Sequence, residues 1–170
     1  MIGIFLIGCQ QKPESDIDYT IEDEDSPTQE SWNTEIRFTE NGVLKAILYS
    51  NHIRIYDDPK ETLLDNMLID FINKEGAVSS SLSSKSGRID DATEDMYATD
   101  SVVARNDSSG TILETEELMW RKSDEKIVTD KFVTITSKDE IIQGYGLESD
   151  QGLKNYTIFD VTYQTIRKDK

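Results

Sequence analysis

The chain has 170 residues, of which 36% are hydrophobic, and it carries a formal net charge of −16 at pH 7. This length fits one domain with an N-terminal extension. The negative charge argues against nonspecific nucleic-acid binding, which needs a footprint of Lys and Arg. Solubility alone is the simpler explanation of the acidity.

The chain begins with an apolar run, residues 2–9, that ends in the only cysteine, Cys9. A single cysteine excludes a disulfide within the chain. The stretch Leu6-Ile7-Gly8-Cys9 resembles a bacterial lipobox, in which a signal peptide is cleaved before a cysteine that is then lipidated. The run is too short to span a bilayer and no Lys or Arg precedes it. We interpret residues 1–9 as a lipoprotein-type signal segment, whose shortness has two explanations: a start site further upstream, or truncation.

Residues 10–31 are predicted to form an acidic, disordered tether. Ten acidic residues and a single Arg lie between Glu14 and Glu40, and the tether contains Pro13 and Pro27. A segment of this composition cannot bury enough apolar surface to fold. The folded domain is therefore expected over residues 32–165, followed by a charged tail, residues 166–170.

The first strands of the domain are predicted from two-residue alternation at 32–38, 43–49 and 52–56, with a hairpin signal at Asn41-Gly42. The only histidine, His52, lies in the third of these segments. A catalytic histidine needs a nucleophile or an orienting acid, and a zinc site needs several N or S ligands. Because Cys9 lies outside the domain, neither group can be assembled, and we interpret His52 as a polar strand residue.

Residues 58–76 fit two structures. The start, 58–61, is typical of a helix N-terminus, and apolar residues follow at helical spacing: Leu64, Met67, Leu68 and Phe71. The same residues fit a strand that leads into a hairpin loop. We predict a strand from Asn66 to Asn73, because the segments around it are strands, and a helix is the alternative. The Ser-rich segment 77–84 is predicted as a strand, with a low-complexity linker as its alternative.

The clearest strand pattern runs from Gly110 to Glu148. Segments rich in β-branched and aromatic residues alternate with polar residues at 111–115, 118–120, 126–129, 132–136 and 141–147. A last segment covers 153–163. Polar pairs such as Glu116-Glu117 and Asp130-Lys131 are interpreted as turns, as is Asp90-Asp91.

Carboxylate pairs are also candidates for acid–base catalysis, which requires the two carboxyls to have different environments. Nothing in the sequence indicates such a difference, and no calcium-loop motif is present. We therefore predict that the chain is not an enzyme and has no metal or other cofactor.

The fold class predicted from these segments is all-β. Ten or more short strands are expected, with few large apolar residues to fill a closed barrel. This composition favours an elongated, partly open antiparallel sheet or β-jelly roll with an apolar trough. A trough of this kind suits a lipid or a partner strand.

An ordered set of residues resembles the LptC family of periplasmic lipopolysaccharide-export proteins. The set consists of Asn41-Gly42-x-Leu44, His52-Ile53-x-Ile55-Tyr56, Gly110-x-x-Leu113-x-Thr115-x-x-Leu118-x-Trp120, Ile127-Val128-Thr129-x-x-x-Val133-x-Ile135 and Ile142-x-Gly144-x-Gly146-Leu147-x-x-Asp150-x-x-Leu153. It covers about residues 35–163. The resemblance implies a jelly roll folded as a V-shaped trough. It also implies a non-enzymatic role at the inner membrane: accepting lipopolysaccharide from an ABC transporter and passing it to a periplasmic bridge protein. The family usually has an N-terminal transmembrane helix, and this chain has the candidate lipidation site Cys9 instead.

With this resemblance, the alternating face that follows Gly42 becomes the predicted lipid-binding lining. Its residues are Leu44, Ala46, Leu48, Ile53, Ile55, Phe71, Leu113, Val133 and Ile135. The alternative is that they form the core of an ordinary sandwich. Gly42, Gly144 and Gly146 are expected where the backbone needs positive φ or close approach.

Open sheet edges are predicted to bind the partners by strand addition. The C-terminal edge, with Tyr156, Ile158, Val161 and Tyr163, is expected to receive the bridge protein, and the N-terminal edge to meet the transporter. A lipid on Cys9 would anchor the chain to the membrane. The alternative function is a non-transporting periplasmic lipoprotein that acts as a β-sheet scaffold or interaction module.

Overall fold

The computed structural model describes residues 26–166. Within that range the chain forms nine β-strands and no helix, which confirms the all-β prediction. The strands are β1 (Gln29–Glu40), β2 (Val43–Asp57), β3 (Lys60–Ile72), β4 (Val78–Asp90), β5 (Met96–Asn106), β6 (Thr111–Arg121), β7 (Lys126–Thr136), β8 (Glu140–Asp150) and β9 (Tyr156–Ile166). The predicted signal segment, Cys9, residues 10–25 of the tether and residues 167–170 of the tail lie outside the described residues.

The nine strands form one open antiparallel sheet in sequence order, so that each strand pairs with the next. β1 and β9 are its edges. The β1–β2 connection is the Asn41-Gly42 turn, where both residues have positive φ, 51° and 78°. Two successive positive φ values are typical of the tight hairpin turns that match strand twist, and they explain why glycine is needed there. The prediction for Gly42 is confirmed.

A line of irregular backbone crosses the sheet about halfway along the strands. Positive φ values occur there at non-terminal positions of four strands: Asn33, Asn66, Asp100, Ser101 and Gly146. The pairing register also shifts in the middle of β4 to β7. In β2 the buried positions run Ala46, Leu48 and Ser50 and then change parity to Ile53. The strands therefore bend along this line. Each bend lets both halves of a strand bury side chains on the same face of the sheet.

The line divides the sheet into two arms. The first arm ends in the β1–β2, β3–β4, β5–β6 and β7–β8 turns, and the second arm ends in the other four turns. Buried residues of the two arms form one apolar cluster, so their inner faces pack against each other. The first arm contributes Leu48, Leu113 and Ile135, for example, and the second contributes Leu64 and Leu118. The molecule is a single sheet folded on itself into an elongated, jelly-roll-like trough.

The number of strands is the main correction to the sequence analysis. Segments 111–115 and 118–120 belong to one strand, β6, and 126–129 and 132–136 belong to β7. Glu116-Glu117 and Asp130-Lys131 lie at the bend and are not turns between strands. The prediction of ten or more short strands is therefore wrong. Polar residues interrupt the apolar alternation at the bend because the backbone pairing is irregular there, and this imitates a turn signal.

Other assignments agree with the structure. Residues 66–72 lie in β3, so the strand is right and the helix is excluded, while Pro59 lies in the β2–β3 turn. The Ser-rich segment lies almost entirely in β4. Asp91 lies in the β4–β5 turn, as predicted, directly after the end of β4 at Asp90. β1 begins at Gln29, three residues before the predicted start of the domain.

Candidate functional site

A continuous row of apolar side chains crosses the first arm. Residues that are paired across antiparallel strands point to the same face of the sheet. Direct pairing connects Ile36, Leu48, Ile69, Leu82, Ala104, Leu113, Ile135 and Ile142 in this way from β1 to β8. The next partner, on β9, is Gln164. The inner face is therefore apolar along eight consecutive strands.

The nine residues predicted as a lipid lining all lie on this inner face, but their burial differs. Leu113, Val133 and Ile135, in the centre of the sheet, have no exposed surface. Towards the N-terminal edge, Ala46, Leu48 and Ile53 are buried, whereas Leu44, Ile55 and Phe71 are half-buried. The structure thus brings the predicted residues onto one surface, and their contact with lipid stays a prediction.

The second arm has a matching row that the sequence analysis did not identify. Pairing connects Ile53, Leu64, Gly87, Ala98 and Leu118. A Cβ atom on Gly87 would overlap Met67 Sδ and would lie 3.4 Å from Leu64 Cδ1, so the glycine leaves space that these side chains fill. The signal for this row was in the sequence. The alternation continues beyond the bend with its parity changed, so that one strand has the sequence pattern of two.

Apolar surface is exposed at both ends of the sheet. On β1, Trp32 is 63% exposed and Phe38 is 40% exposed. On β9, Phe159, Val161 and Tyr163 are 66%, 53% and 51% exposed. Phe38 pairs with the buried Ala46, and Val161 pairs with Gly144, so both lie on the inner face. Trp32 pairs with His52 and Tyr163 pairs with Gln143, so both lie on the outer face. The inner face is thus filled by its own side chains at the centre and has an exposed apolar residue at each edge.

The four residues predicted for the partner edge all lie on β9, which has an unpaired side. Tyr156 and Ile158 are half-buried and pack against the apolar cluster, whereas Val161 and Tyr163 are exposed. Burial raises the pKa of the Tyr156 phenol, so this residue is neutral at physiological pH. The contact of these four residues with a partner stays a prediction, because strand addition would use the backbone of β9.

Two glycines allow β9 to lie close to β8. A Cβ atom on Gly144 would overlap the backbone carbonyl oxygen of Asp160. Gly146 has φ of 72°, and a Cβ atom there would lie 3.0 Å from the ring of Phe159. The predictions of close approach or positive φ at these two positions are confirmed.

His52 lies in a polar cluster that ties the edge strand β1 to β2 and β3. Its Nε2 lies 2.6 Å from Glu30 Oε2 and its Nδ1 lies 3.4 Å from Asp65 Oδ2. The imidazole stacks on Trp32 with ring centroids 4.9 Å apart, and Arg54 donates to Asp65 at 2.9 Å. In residues 26–166, no group of three or more His, Cys, Asp or Glu side chains is arranged to hold a metal ion.

The indole of Trp120 is another inward-facing group that sequence reasoning did not single out. It pairs with Met96 and Ile127 on the second arm and packs against the apolar cluster. Its Nε1 is buried and has no hydrogen-bond acceptor within the described range. Among the described residues, the inner face thus contains a buried donor, Trp120 Nε1, that has no hydrogen-bond partner.

A folded open sheet with an apolar inner face and two unpaired edges defines a class of all-β proteins that can hold apolar groups inside and add strands at their edges. No helix in the described range is long and apolar enough to cross a membrane. A family model described as "Lipopolysaccharide-assembly, LptC-related" matches residues 1–162, and the chain belongs to this family. A comparison with curated proteins finds no match.

Membership of the family places the chain in lipopolysaccharide transport. Proteins of this family are transport components, and the family is not a known enzyme family. Its members act in the periplasm in association with the inner membrane and the rest of the transport machinery. The predicted family is therefore confirmed.

Proposed function

We propose that this protein accepts lipopolysaccharide from the inner-membrane ABC transporter and passes it to a periplasmic bridge protein. The observation that carries the proposal is the apolar row from Ile36 to Ile142. An acyl chain that moves across the strands would meet hydrocarbon on every strand from β1 to β8. No strand in between presents a charged group in this row.

The energetics of transfer fit this route. Moving an acyl chain from water to an apolar surface gains about 0.8 kcal/mol per buried CH₂ group. The sugar head group would remain hydrated at the mouth of the trough, which is the opening between the ends of the two arms. The central side chains, which now fill the interior, would have to separate from the opposite arm to admit the acyl chains.

The two edges differ in the charge that they carry. β1 carries Glu30, Glu35, Arg37 and Glu40, whereas the only Asp, Glu, Lys or Arg in β9 is Asp160. Charged side chains on an edge strand discourage pairing with another strand. β9 is therefore the better edge for strand addition, and we place the bridge protein there and the transporter at β1.

The N-terminal segment supports an anchor. The family acts at the inner membrane, and Cys9 follows an apolar run that resembles a lipobox. A lipid on Cys9 would hold the domain near the transporter through an acidic tether. Replacing Cys9→Ser should move the protein from the membrane fraction to the soluble periplasmic fraction. Unchanged membrane association would overturn lipid anchoring at this residue.

Photo-crosslinking from the inner face tests the proposed function. p-Benzoylphenylalanine replaces Phe71, which is half-buried on the inner face, and in a matched variant it replaces Phe132, which is 39% exposed on the outer face. Both changes exchange one aromatic residue for another. In cells that make lipopolysaccharide, we expect an adduct at position 71 that depends on the transporter's ATPase and none at position 132. A folded protein without an adduct at 71, or with equal adducts at both positions, would overturn the proposal.

One observation favours the second candidate, a non-transporting scaffold. Leu113, Val133 and Ile135 have no exposed surface, so the centre of the inner face already serves as a core. A scaffold would use β9 to pair with a partner and would never open its arms. It predicts binding of the bridge protein without any adduct at position 71.

A further inference from the structure

One side chain connects the ends of the two arms. Asn106 lies at the end of β5 in the first arm and is 4% exposed. Its Nδ2 donates a hydrogen bond to the carbonyl oxygen of Gly152, in the β8–β9 turn of the second arm. The other side-chain hydrogen bonds that join the arms within residues 26–166, such as the one from Ser50 Oγ to the Asp65 carbonyl oxygen, lie at the bend.

This contact spans the mouth of the trough. Asn106 pairs with Thr111 beside the β5–β6 turn, whereas Asp150, which precedes Gly152 by two residues, pairs with Lys126 at the opposite ends of the strands. In a flat sheet, opposite ends of an 11-residue strand would lie on the order of 35 Å apart. Folding of the sheet brings them together, so a bond between them closes the opening between the arms.

The β8–β9 turn is shaped to present Gly152. The Asp150 carboxylate accepts hydrogen bonds from the backbone N–H groups of Lys154 and Asn155, at 2.9 and 3.1 Å, and from Asn155 Nδ2 at 2.8 Å. Leu153 has φ of 51° and is 3% exposed as part of the apolar cluster. The turn thus inserts Leu153 between the arms while it aims the neighbouring carbonyl at Asn106.

Asn106 is oriented by its own turn. Its Oδ1 accepts hydrogen bonds from the backbone N–H groups of Ser108 and Ser109, both at 2.9 Å. These donors assign the oxygen of the amide and so direct the NH₂ group towards Gly152. The orientation of the amide and the shape of the facing turn are thus each fixed by bonds within their own arm.

From this geometry we propose that Asn106, Gly152 and Leu153 form a latch, which must open for lipopolysaccharide to reach β9. The inference rests on the proposed function, because it concerns passage along the same inner face. Acyl chains inside the trough and a hydrated head group outside are joined through the mouth. A bond across the mouth therefore blocks their movement from the central strands to β9. When the latch opens, Gly152 separates from Asn106 and Leu153 leaves the interior.

Replacing Asn106→Asp tests the hydrogen bond itself. The carboxylate still accepts from Ser108 and Ser109, but it cannot donate to Gly152 and places an oxygen against the Gly152 carbonyl. Asn73→Asp is the matched control, because Asn73 Oδ1 accepts from the backbone N–H groups of Glu75 and Ala77 in the β3–β4 turn of the same arm. We expect amide exchange in residues 151–155 to accelerate about tenfold, equivalent to about 1.4 kcal/mol, in the Asn106 variant alone. Unchanged exchange would overturn the latch.

A reversible lock tests passage. Asn106→Cys and Gly152→Cys are joined in the full chain by a short, reducible thiol-reactive linker. A Cβ atom on Gly152 would meet nothing closer than 3.6 Å, so the position accepts a side chain. The control joins Glu114→Cys and Thr134→Cys, which pair within the first arm. Cys9 is kept in both proteins.

The readouts are lipopolysaccharide adducts from p-benzoylphenylalanine at Phe71, before the latch, and at Val161, after it. The lock should preserve the adduct at 71 and abolish the adduct at 161 until reductant is added, and the control linkage should change neither. An undiminished adduct at 161 in the locked protein would overturn the latch while the proposed function stands. Loss of the adduct at 71 in the unlocked protein would instead overturn the proposed function.

Discussion

The centre and the ends of the inner face have the same chemistry but opposite environments. Val133 in the centre has no exposed surface, whereas Val161 on β9, which lies in the same lateral row through Gly144, is 53% exposed. The residue type is identical and both side chains point inwards. What differs is the number of neighbours, because the central strands are covered on both sides and by the opposite arm.

Position in the sheet therefore decides what an apolar residue contributes in this protein. In the centre, burial stabilises the fold and makes side chains intolerant of change. At the edges, the same side chains add little stability and are available for contact with a partner or a lipid. Substitutions at the centre and at the edges of the sheet test this contrast.

Truncating Ile135→Ala should have the largest effect. It deletes completely buried methyl and methylene groups and leaves a cavity, so we expect the free energy of unfolding to fall by about 2–5 kcal/mol. Val161→Ala, at the open end, should change it by less than about 0.5 kcal/mol. Urea unfolding measures both. Comparable losses in the two variants would mean that the edge of the trough is as well packed as its centre.

Replacing Gly144→Ala should separate β9 from β8. The added Cβ atom would overlap the Asp160 backbone, which cannot move without shifting the strand, so a loss of about 1–3 kcal/mol is expected. Gly152→Ala is the matched control, since its Cβ atom would make only ordinary contacts. Unfolding measurements and binding of the bridge protein should both weaken in the Gly144 variant alone. A Gly144 variant with normal stability would show that β9 is not held by this close approach.

The sequence was sufficient to predict the class of fold and part of the inner face. Two-residue alternation identified the strands, and the parity change between Leu48 and Ile53 was already visible in the predicted lining. Asn41-Gly42 identified its turn because both residues tolerate positive φ. These features are local, so local patterns reveal them.

The rest depends on contacts between distant residues. The bend at Glu116-Glu117 looked like a turn because polar residues mark both, and only the pairing of β6 with β7 distinguishes them. The contact of Asn106 with Gly152 joins residues 46 positions apart at opposite ends of strands. No spacing rule predicts such a contact, because it arises from folding of the whole sheet. The Ser-rich segment 77–84 was ambiguous for another reason: its buried positions, Ser80 and Ser84, are polar.

The smallest expected effect is the pH dependence of the stability that Asp150 contributes at the β8–β9 turn. Burial raises the pKa of Asp150, but hydrogen bonds from Lys154, Asn155 and Gly152 together outweigh it and leave the pKa below its ordinary value. A depressed pKa means that the carboxylate stabilises the fold above about pH 3.9, the usual value for Asp, and that this contribution is lost as the pH falls through the folded-state pKa. Solvent screening keeps the effect small, because the carboxyl is only partly buried.

Thermal unfolding of Asp150→Asn beside the unaltered protein measures this contribution. The unaltered protein should unfold at the higher temperature from pH 5 to 7, and the difference should disappear at lower pH, where its carboxyl is also neutral. Asp90→Asn is the matched comparison, since hydrogen bonds from Thr93 and Ala92 lower the pKa of Asp90, the last residue before the β4–β5 turn of the same arm. We expect the unfolding temperatures of both variants to show the same pH dependence. Only Asp150→Asn should also accelerate amide exchange at Leu153, because of the two turns only the β8–β9 turn enters the interior. A difference between Asp150→Asn and the unaltered protein that persists undiminished at low pH would show that the side chain stabilises the turn without its charge.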